Sequence, residues 1–189
     1  MRIAFTSLTF LLALTINAQN LTSSNNKFEQ YYHLPDSNQY EIYAYIHAHA
    51  TDELTRAQAS SELAILHRSN YNYDQAIGHA LNAISGFKGS GHSKKISNCY
   101  NLIGNCFMNI HNYPKAEDYY LKSLAIAEYE NDSLAIAIAY NNIAGFHYQS
   151  EDYEKSSDYF EKSIALFENL KEEEKNYQTK INHSVTLME

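Results

Sequence analysis

The chain has 189 residues, of which 44% are hydrophobic and 19% are charged, and its formal net charge is −8 at pH 7. This length allows one domain, and the apolar content is too high for a fully disordered chain. The negative charge argues against nucleic acid or an anionic bilayer as the main partner. Six Gly and two Pro are too few for a turn-rich β-sandwich, so the composition favours helices.

The segment 1–18 predicts a secretory signal peptide. Arg2 precedes an apolar run from Ile3 to Ile16, which is shorter than the roughly 20 residues of a transmembrane helix, and the small residue Ala18 suits cleavage. The alternatives are an uncleaved anchor or a buried N-terminal helix. We expect a mature chain that begins near Gln19, is exported to the periplasm or the extracellular space, and does not insert into a membrane.

A polar leader and one helix are predicted next. Residues 19–37 are rich in Asn and Ser, as is common for a mobile terminal segment. Residues 38–53 predict an N-terminal helix or half repeat, because Tyr40, Tyr43, Ala44 and His47 share one helical stripe.

A single repeat period organises the chain from position 54 onward, and its length of about 40 residues lies in the range of repeat arrays. Ile103 and Gly104 lie one period after Leu63 and Ala64, and the pattern returns at Ile143. The same interval relates His67, Phe107 and His147, then Tyr73, Tyr113 and Tyr153, then Ala76, Ala116 and Ser156, and then Ala80, Tyr120 and Phe160. Self-similarity of this kind is the mark of a repeat array.

The order of small and aromatic residues in these copies resembles the tetratricopeptide repeat. The resemblance is clearest from Tyr100 to Leu124 and weakest in the first copy, where Ser60 and Ala80 replace larger residues. It implies an all-α, right-handed α-solenoid of antiparallel helix pairs, with repeats at 54–92, 93–131 and 132–172. The long-period subtype is similar to the exported N-terminal arrays of bacterial sensor and regulator proteins.

Local chemistry supports a helical hairpin in each copy. Tyr100, Ile103, Gly104 and Phe107 recur at helical spacing and so share one face. Because a Gly inside a helix costs about 1 kcal/mol relative to Ala, Gly104 predicts a close approach of the partner helix. Asn112 and Asp152 are predicted caps, Pro114 suits a first helical turn, and Tyr113 and Tyr153 are predicted to wedge between the helices.

The period is longer than that of the usual tetratricopeptide repeat, which has about 34 residues. We expect the extra length to lie between the repeats. Residues 85–92 predict a flexible connection. Residues 128–132 and 169–175 predict extensions of the second helices.

Residues 173–189 predict a final helix with two alternative interpretations. Tyr177, Ile181, Val185 and Met188 form one narrow apolar stripe, which suits a capping helix with a polar outer face. The alternative is the first helix of a truncated fourth repeat.

No catalytic, cofactor or metal site is predicted. Cys99 and Cys106 lie seven residues apart in a helical segment, a rise of about 10.5 Å that a disulfide cannot span. His47 and His49 are two residues apart and would point in nearly opposite directions on a helix. The repeat position of His67, Phe107 and His147 carries an aromatic ring in each copy, which packing explains better than metal binding. The sequence contains no nucleotide-binding, zinc-protease or serine-hydrolase motif.

The predicted binding surface is the concave face formed by the first helix of each repeat, which is the usual binding surface in the tetratricopeptide family. Asn side chains both donate and accept hydrogen bonds, so they could hold a peptide backbone. The alternative is that these amides are solvated or bridge neighbouring helices. The candidate residues are Asn98, Asn101, Asn105, Asn141, Asn142 and Tyr148.

The first functional hypothesis is a non-catalytic scaffold that binds a protein or peptide in this groove. Recognition of a free C-terminus is not expected, because Asn, Ser and Gln stand where a carboxylate clamp needs Lys or Arg. The second hypothesis is the sensory N-terminal part of a longer, truncated signalling or transcription regulator. The third is a metal-dependent enzyme that uses the scattered histidines.

Overall fold

The computed structural model describes residues 34–189. The predicted signal peptide, residues 1–18, and all but the last four residues of the predicted leader, residues 19–37, lie outside the described residues. In the described part the chain forms eight helices and no strand, which confirms the all-α prediction. The helices are α1 Asp36–His49, α2 Glu53–Ser69, α3 Tyr73–Phe87, α4 Ser93–Asn109, α5 Tyr113–Tyr129, α6 Ser133–Gln149, α7 Tyr153–Leu170 and α8 Glu173–Thr186.

The helices pack as three successive hairpins, α2–α3, α4–α5 and α6–α7, each of which contacts the next. The short connections within each pair make the two helices antiparallel. Helix α1 packs on α2 as α3 packs on α4, so α1 stands where the second helix of a preceding hairpin would be. The result is a helical solenoid in which each unit contacts its neighbours.

Most of the turns between consecutive helices share one backbone conformation. Tyr71, His111 and Glu151, each the middle residue of the turn within a hairpin, adopt left-handed φ angles of 60°, 57° and 60°. In the first turn the Asn72 N–H donates to the His67 carbonyl, as in the usual closure of a helix C-terminus. The predicted caps are confirmed, because Asn112 and Asp152 accept from the N–H groups of Lys115 and Lys155.

The expectation that the extra residues lie between the repeats is wrong, whereas the predicted extension of the second helices is confirmed as far as Tyr129 and Leu170. In the second repeat, helices α4 and α5 each have 17 residues, and residues 110–112 and 130–132 are connections of three residues. Helix therefore fills almost the whole period, and the added length belongs to the helices. Even the longest connection of the array is confined to residues 88–92, because 85–87 complete α3.

The close approach predicted at Gly104 is confirmed. A Cβ placed there would lie 2.5 Å from two ring carbons of Tyr120, whose side chain is almost fully buried. Ile103 lies beside it in the main core, together with Leu124 and Phe87. Tyr113 packs against the edge of this core, while Tyr153 is half-buried and its ring lies 5.7 Å from that of Tyr148.

The last helix, α8, presents polar residues to the protein. Thr179 and Thr186 are buried and bond to Asn141 and Ser156. The apolar stripe of Tyr177, Ile181, Val185 and Met188 is exposed instead.

Both cysteines are buried and free, as the helix geometry predicts. None of the helices between residues 34 and 189 combines the length and the apolar character needed to cross a membrane.

Candidate functional site: the concave groove

The first helices of the hairpins lie side by side. Contacts join α2 to α4, α4 to α6 and α6 to α8, so these four helices line the inner side of the array. In solenoid proteins, a small rotation from each repeat to the next curves such a row of helices into a concave surface that is used for binding. We call this surface the concave groove.

Asparagine amides join neighbouring helices at the centre of the groove. The Asn142 Nδ2 donates to Oδ1 of Asn101 at 2.6 Å, and the Thr179 hydroxyl donates to Oδ1 of Asn141 at 3.2 Å. All three Asn side chains are half-buried. The alternative interpretation, in which the amides bridge helices, therefore holds for these residues, and they fix the spacing of α4, α6 and α8.

Asn105 has a different internal partner. Its Oδ1 accepts a hydrogen bond of 2.7 Å from the Tyr120 hydroxyl, which satisfies the polar end of a buried aromatic side chain. Burial raises the pKa of Tyr120, so this hydroxyl stays protonated and remains a donor. Asn105 thus connects the groove surface to the contact between α4 and α5.

Two of the six candidate residues form no side-chain hydrogen bond with another residue of the range 34–189. Asn98 is exposed on α4, and Tyr148 is half-buried on α6. The NH2 group of Asn101 also has no hydrogen-bond partner among residues 34–189, because this side chain accepts from Asn142 but donates to no described group. A ligand with carbonyl acceptors could bind there.

The sequence interpretation missed an apolar end to the groove. Val185 lies one repeat period after Gly145 and two periods after Asn105, and Ile181 lies one period after Asn141. The exposed stripe of α8 therefore continues the row of groove positions on α4 and α6. Applying the repeat register to the final helix would have found it.

The groove carries little charge. Arg68 is the positively charged residue among the groove positions on α2. Its charge favours a lower pKa of the nearby Tyr120 hydroxyl, against the larger effect of burial. At one edge, Lys95 lies near Glu62, and burial lowers the pKa of Lys95 although Glu62 opposes the change. Lys94 and Asp132 form an ion pair of 2.9 Å between the beginnings of α4 and α6. Amides and apolar groups, more than charges, therefore define the surface.

The cysteines and histidines of the described chain are not arranged for nucleophilic or metal chemistry. Burial raises the pKa of Cys99 and of Cys106 to about 11, so both remain thiols at neutral pH and are weak nucleophiles. Among residues 34–189, His, Cys, Asp and Glu form no group of three that could hold a metal ion. His47 and His49 lie apart, since His47 contacts Ser60 and His49 stacks on Tyr45.

The fold and groove define the class first: a helical-repeat protein built from stacked hairpins. Residues 95–169 match the family model described as Tetratricopeptide repeat, which confirms the resemblance seen in the sequence. This part of the chain is therefore similar to tetratricopeptide repeats. No curated protein matches the sequence.

Solved structures with the same fold share little sequence with this chain. They include the apo form of RapI (16% identity, 96% of this chain and 66% of that one, TM-score 0.70) and a Rap protein complexed with Competence and Sporulation Factor (16%, 95% and 58%, TM-score 0.64). A third is the Signal Transduction ATPase with Numerous Domains, which has a tetratricopeptide repeat sensor, from Pyrococcus horikoshii (18%, 93% and 31%, TM-score 0.69).

The chain thus spans from about a third to two thirds of the length of these proteins. Similarity at these identities shows the fold alone. That fold is typical of modules for protein–protein interaction.

Proposed function

We propose that this protein is an exported, non-catalytic scaffold that binds a protein or peptide in the concave groove. The observation that carries the proposal is the continuous row of accessible polar and apolar groups on α4, α6 and α8. A Rap protein with the same fold has been solved in complex with Competence and Sporulation Factor, which supports a binding role for such an array.

The two parts of the groove favour different partner chemistry. Asn98 and the Asn101 NH2 group offer hydrogen bonds at the centre, where a backbone or an amide side chain of the partner would bind. Ile181 and Val185 offer an apolar surface at the α8 end. We therefore expect a partner segment with polar contacts along its length and one apolar anchor, and an affinity that changes little with salt because few charges take part.

A peptide selection tests the groove. A phage-displayed random peptide library would be selected on the purified protein, and the affinities of the enriched peptides measured for the wild type, Asn98→Arg and Val185→Arg. Asn101 and Asn141 are avoided because they bridge helices. Both variants are expected to weaken binding at least about tenfold, since each places a long cation in an uncharged groove.

The matched control is Leu121→Arg. Leu121 lies on α5, a second helix, and is 46% exposed against 42% for Val185. It should leave the affinity unchanged. If Leu121→Arg weakens binding as much as Val185→Arg does, or if neither groove variant weakens it, the groove is not the binding surface.

Export has its own test. N-terminal sequencing of the protein recovered from the periplasm or the medium should begin at Gln19, the residue after the predicted cleavage site. Recovery of a chain that begins at Met1, inside the cell, would contradict export.

The second candidate function is the sensory part of a longer signalling protein. The observation that favours it is the match to a protein with a tetratricopeptide repeat sensor, of which this chain spans 31%. Reading the genomic DNA past codon 189 tests it. An open frame that adds a membrane span, kinase or DNA-binding module supports the sensor, whereas an immediate stop codon contradicts it.

A further inference from the structure

Each hairpin carries one pair of stacked rings at the same repeat position. The ring centroids are 5.2 to 5.6 Å apart, and the planes are within 16° of parallel. The pairs are His67 with His79, Phe107 with Tyr119, and His147 with Tyr159. The packing role predicted for the position of His67 is thus confirmed. The first pair differs from the others because both of its rings are imidazoles.

A third imidazole joins the first pair. The ring of His47, on α1, meets that of His79 edge-on at 5.5 Å, and its Nδ1 lies 2.9 Å from the Ser60 hydroxyl. Tyr40, also on α1, meets His67 edge-on at 5.4 Å. We call His47, His67 and His79 the histidine cluster. It connects α1, α2 and α3, the N-terminal end of the described array.

The surroundings of the cluster favour neutral rings. Burial lowers the pKa of both His67 and His79, and the pKa of His79 is lowered further by His67 and His47. The Nδ1 of His79 is buried, with no hydrogen-bond partner in the described part of the chain. Protonation would place an N–H there without an acceptor, which is costly in a buried site.

Few charged groups face the cluster. Glu53 and Arg56 of α2, which carry opposite charges, line a cavity of about 300 Å³ beside His47, and neither contributes to the pKa shifts of His67 and His79. From α3 that cavity receives the neutral side chains of Asn82 and Ser85. Glu62 and Arg68 of α2 act instead on Lys95 of α4 and Tyr120 of α5.

Among the described residues, the stacked histidine of the third hairpin is paired with a carboxylate, whereas those of the first hairpin are not. Between residues 34 and 189, the ion pairs that involve histidine are His147–Asp152 at 3.7 Å and His183–Glu161 at 4.0 Å. Burial lowers the pKa of His147, but Asp152 opposes that change. Within the same described range, neither His67 nor His79 forms an ion pair of this kind with a carboxylate.

We propose that the histidine cluster is an acid-sensitive latch, whose protonation loosens α1–α3 while α4–α8 stay folded. In a solenoid each unit contacts only its neighbours, so a terminal unit can open by itself. Opening would remove α2 from the concave groove and shorten it at the N-terminal end. The latch would act with or without the binding function proposed above.

The direction of the pH effect follows from proton binding. The two lowered pKa values mean that the folded hairpin binds fewer protons than the unfolded one. The stability is therefore complete above the unfolded value of about 6.5 and is lost as the pH falls from there through the folded values. Each unit by which one pKa is lowered corresponds to at most about a tenfold change in the opening constant.

Hydrogen exchange followed by mass spectrometry tests the latch. Protection of the wild type would be compared at pH 7.5 and pH 5.5, after correction for the intrinsic exchange rates. We expect protection in α1–α3 to fall about tenfold or more relative to α6 and α7. An equal loss in all helices, or no loss in α1–α3, would overturn the proposal.

Two variants separate the cluster from general acid effects. The double variant His67→Phe with His79→Tyr installs the ring pair of the second hairpin and should remove the response of α1–α3. The matched control His147→Phe, at the same position of the third hairpin, should leave that response unchanged. The same pH response in the double variant and the wild type would also overturn the latch.

A measurement on the wild type keeps the test decisive if the double variant does not fold. In an NMR titration, the imidazole Cε1–H signals of His67 and His79 should titrate below the ordinary histidine value of about 6.5. Titration of both signals at or above that value would contradict the proposal.

Discussion

The first and second hairpins have the same register but fill it differently. In the second, Gly104 receives the ring of Tyr120. In the first, the equivalent residues are Ala64 and Ala80, both fully buried. There a close approach occurs at Gly86, where a Cβ would lie 2.7 Å from that of Ala57. The repeat period therefore determines which positions of the two helices face each other, and the local residues determine at which of them the backbones approach closely.

The two hairpins also differ at a buried polar pair. The Ser97 and Ser123 hydroxyls lie 2.9 Å apart, and each also donates to the other residue's carbonyl. The equivalent residues of the first hairpin are Ala57 and Ala83, both buried. A hydrogen-bonded contact and an apolar contact are thus interchangeable at one repeat position.

The largest expected effect comes from removing the ring that distinguishes the second hairpin. Tyr120→Ala leaves a cavity opposite Gly104 and should lower the free energy of unfolding by about 3–5 kcal/mol. Chemical denaturation monitored by circular dichroism measures the loss. Tyr120→Phe keeps the ring, removes the bond to Asn105, and should cost about 1 kcal/mol. Equal losses in the two variants would show that the hydroxyl, not the ring, maintains the hairpin.

Two glycine substitutions should have opposite signs. Gly104→Ala forces a methyl group against Tyr120 and should destabilise the protein by about 1–2 kcal/mol, because the overlap exceeds the gain in helix propensity. Gly145→Ala, in α6, meets no atom within 4 Å of its new Cβ among the described residues. It should stabilise the protein by about 0.5–1 kcal/mol.

Thermal unfolding of both variants checks this pair. Gly145 is the matched control, because it also lies inside the first helix of a hairpin and gains the same propensity. Stabilisation by Gly104→Ala would mean that Tyr120 moves aside easily, and the close contact would then not define the second hairpin.

Features that depend on the period could be predicted from the sequence, because a second copy checks each residue. Gly104 and the cap at Asn112 are examples. The apolar stripe of α8 does not by itself tell which face packs inward, and here hydrogen bonds allow Thr179 and Thr186 to occupy the inner side. The repeat register does tell it, because these two residues lie two periods after the buried Cys99 and Cys106.

The candidate site was predicted only in outline for a similar reason. The bond between Asn101 and Asn142 joins positions 41 residues apart, one more than the period, so it depends on the offset between neighbouring helices. The contact of His47 with His79 depends on the packing of α1. The spacing of residues along the sequence gives neither the offset between neighbouring helices nor the packing of α1.

A double-mutant cycle at Ser97 and Ser123 would sharpen the comparison. Each single change to Ala removes one hydroxyl and its contact with the other, which should cost about 1 kcal/mol. The remaining hydroxyl can still donate to the backbone carbonyl of the new Ala, as Ser163 does to Ala137 in the third hairpin. The double variant reproduces the Ala57–Ala83 pair and should cost less than the sum of the singles, because both singles already lose the contact between the two hydroxyls. Additive losses in urea denaturation would show that this contact contributes nothing to the pair.

The smallest effect is expected on the solvent side of the same helices. In α5, Lys122 and Asp118 form an exposed ion pair of 2.6 Å, whereas the equivalent residues of α3 are Asn82 and Gly78. Lys122→Asn should change the free energy of unfolding by no more than about 0.5 kcal/mol, and 0.5 M NaCl should reduce that difference further. A loss above about 1 kcal/mol would mean that surface charge contributes to the difference between the hairpins. A loss within the expected range assigns that difference to the buried contacts of Gly104, Ser97 and Ser123.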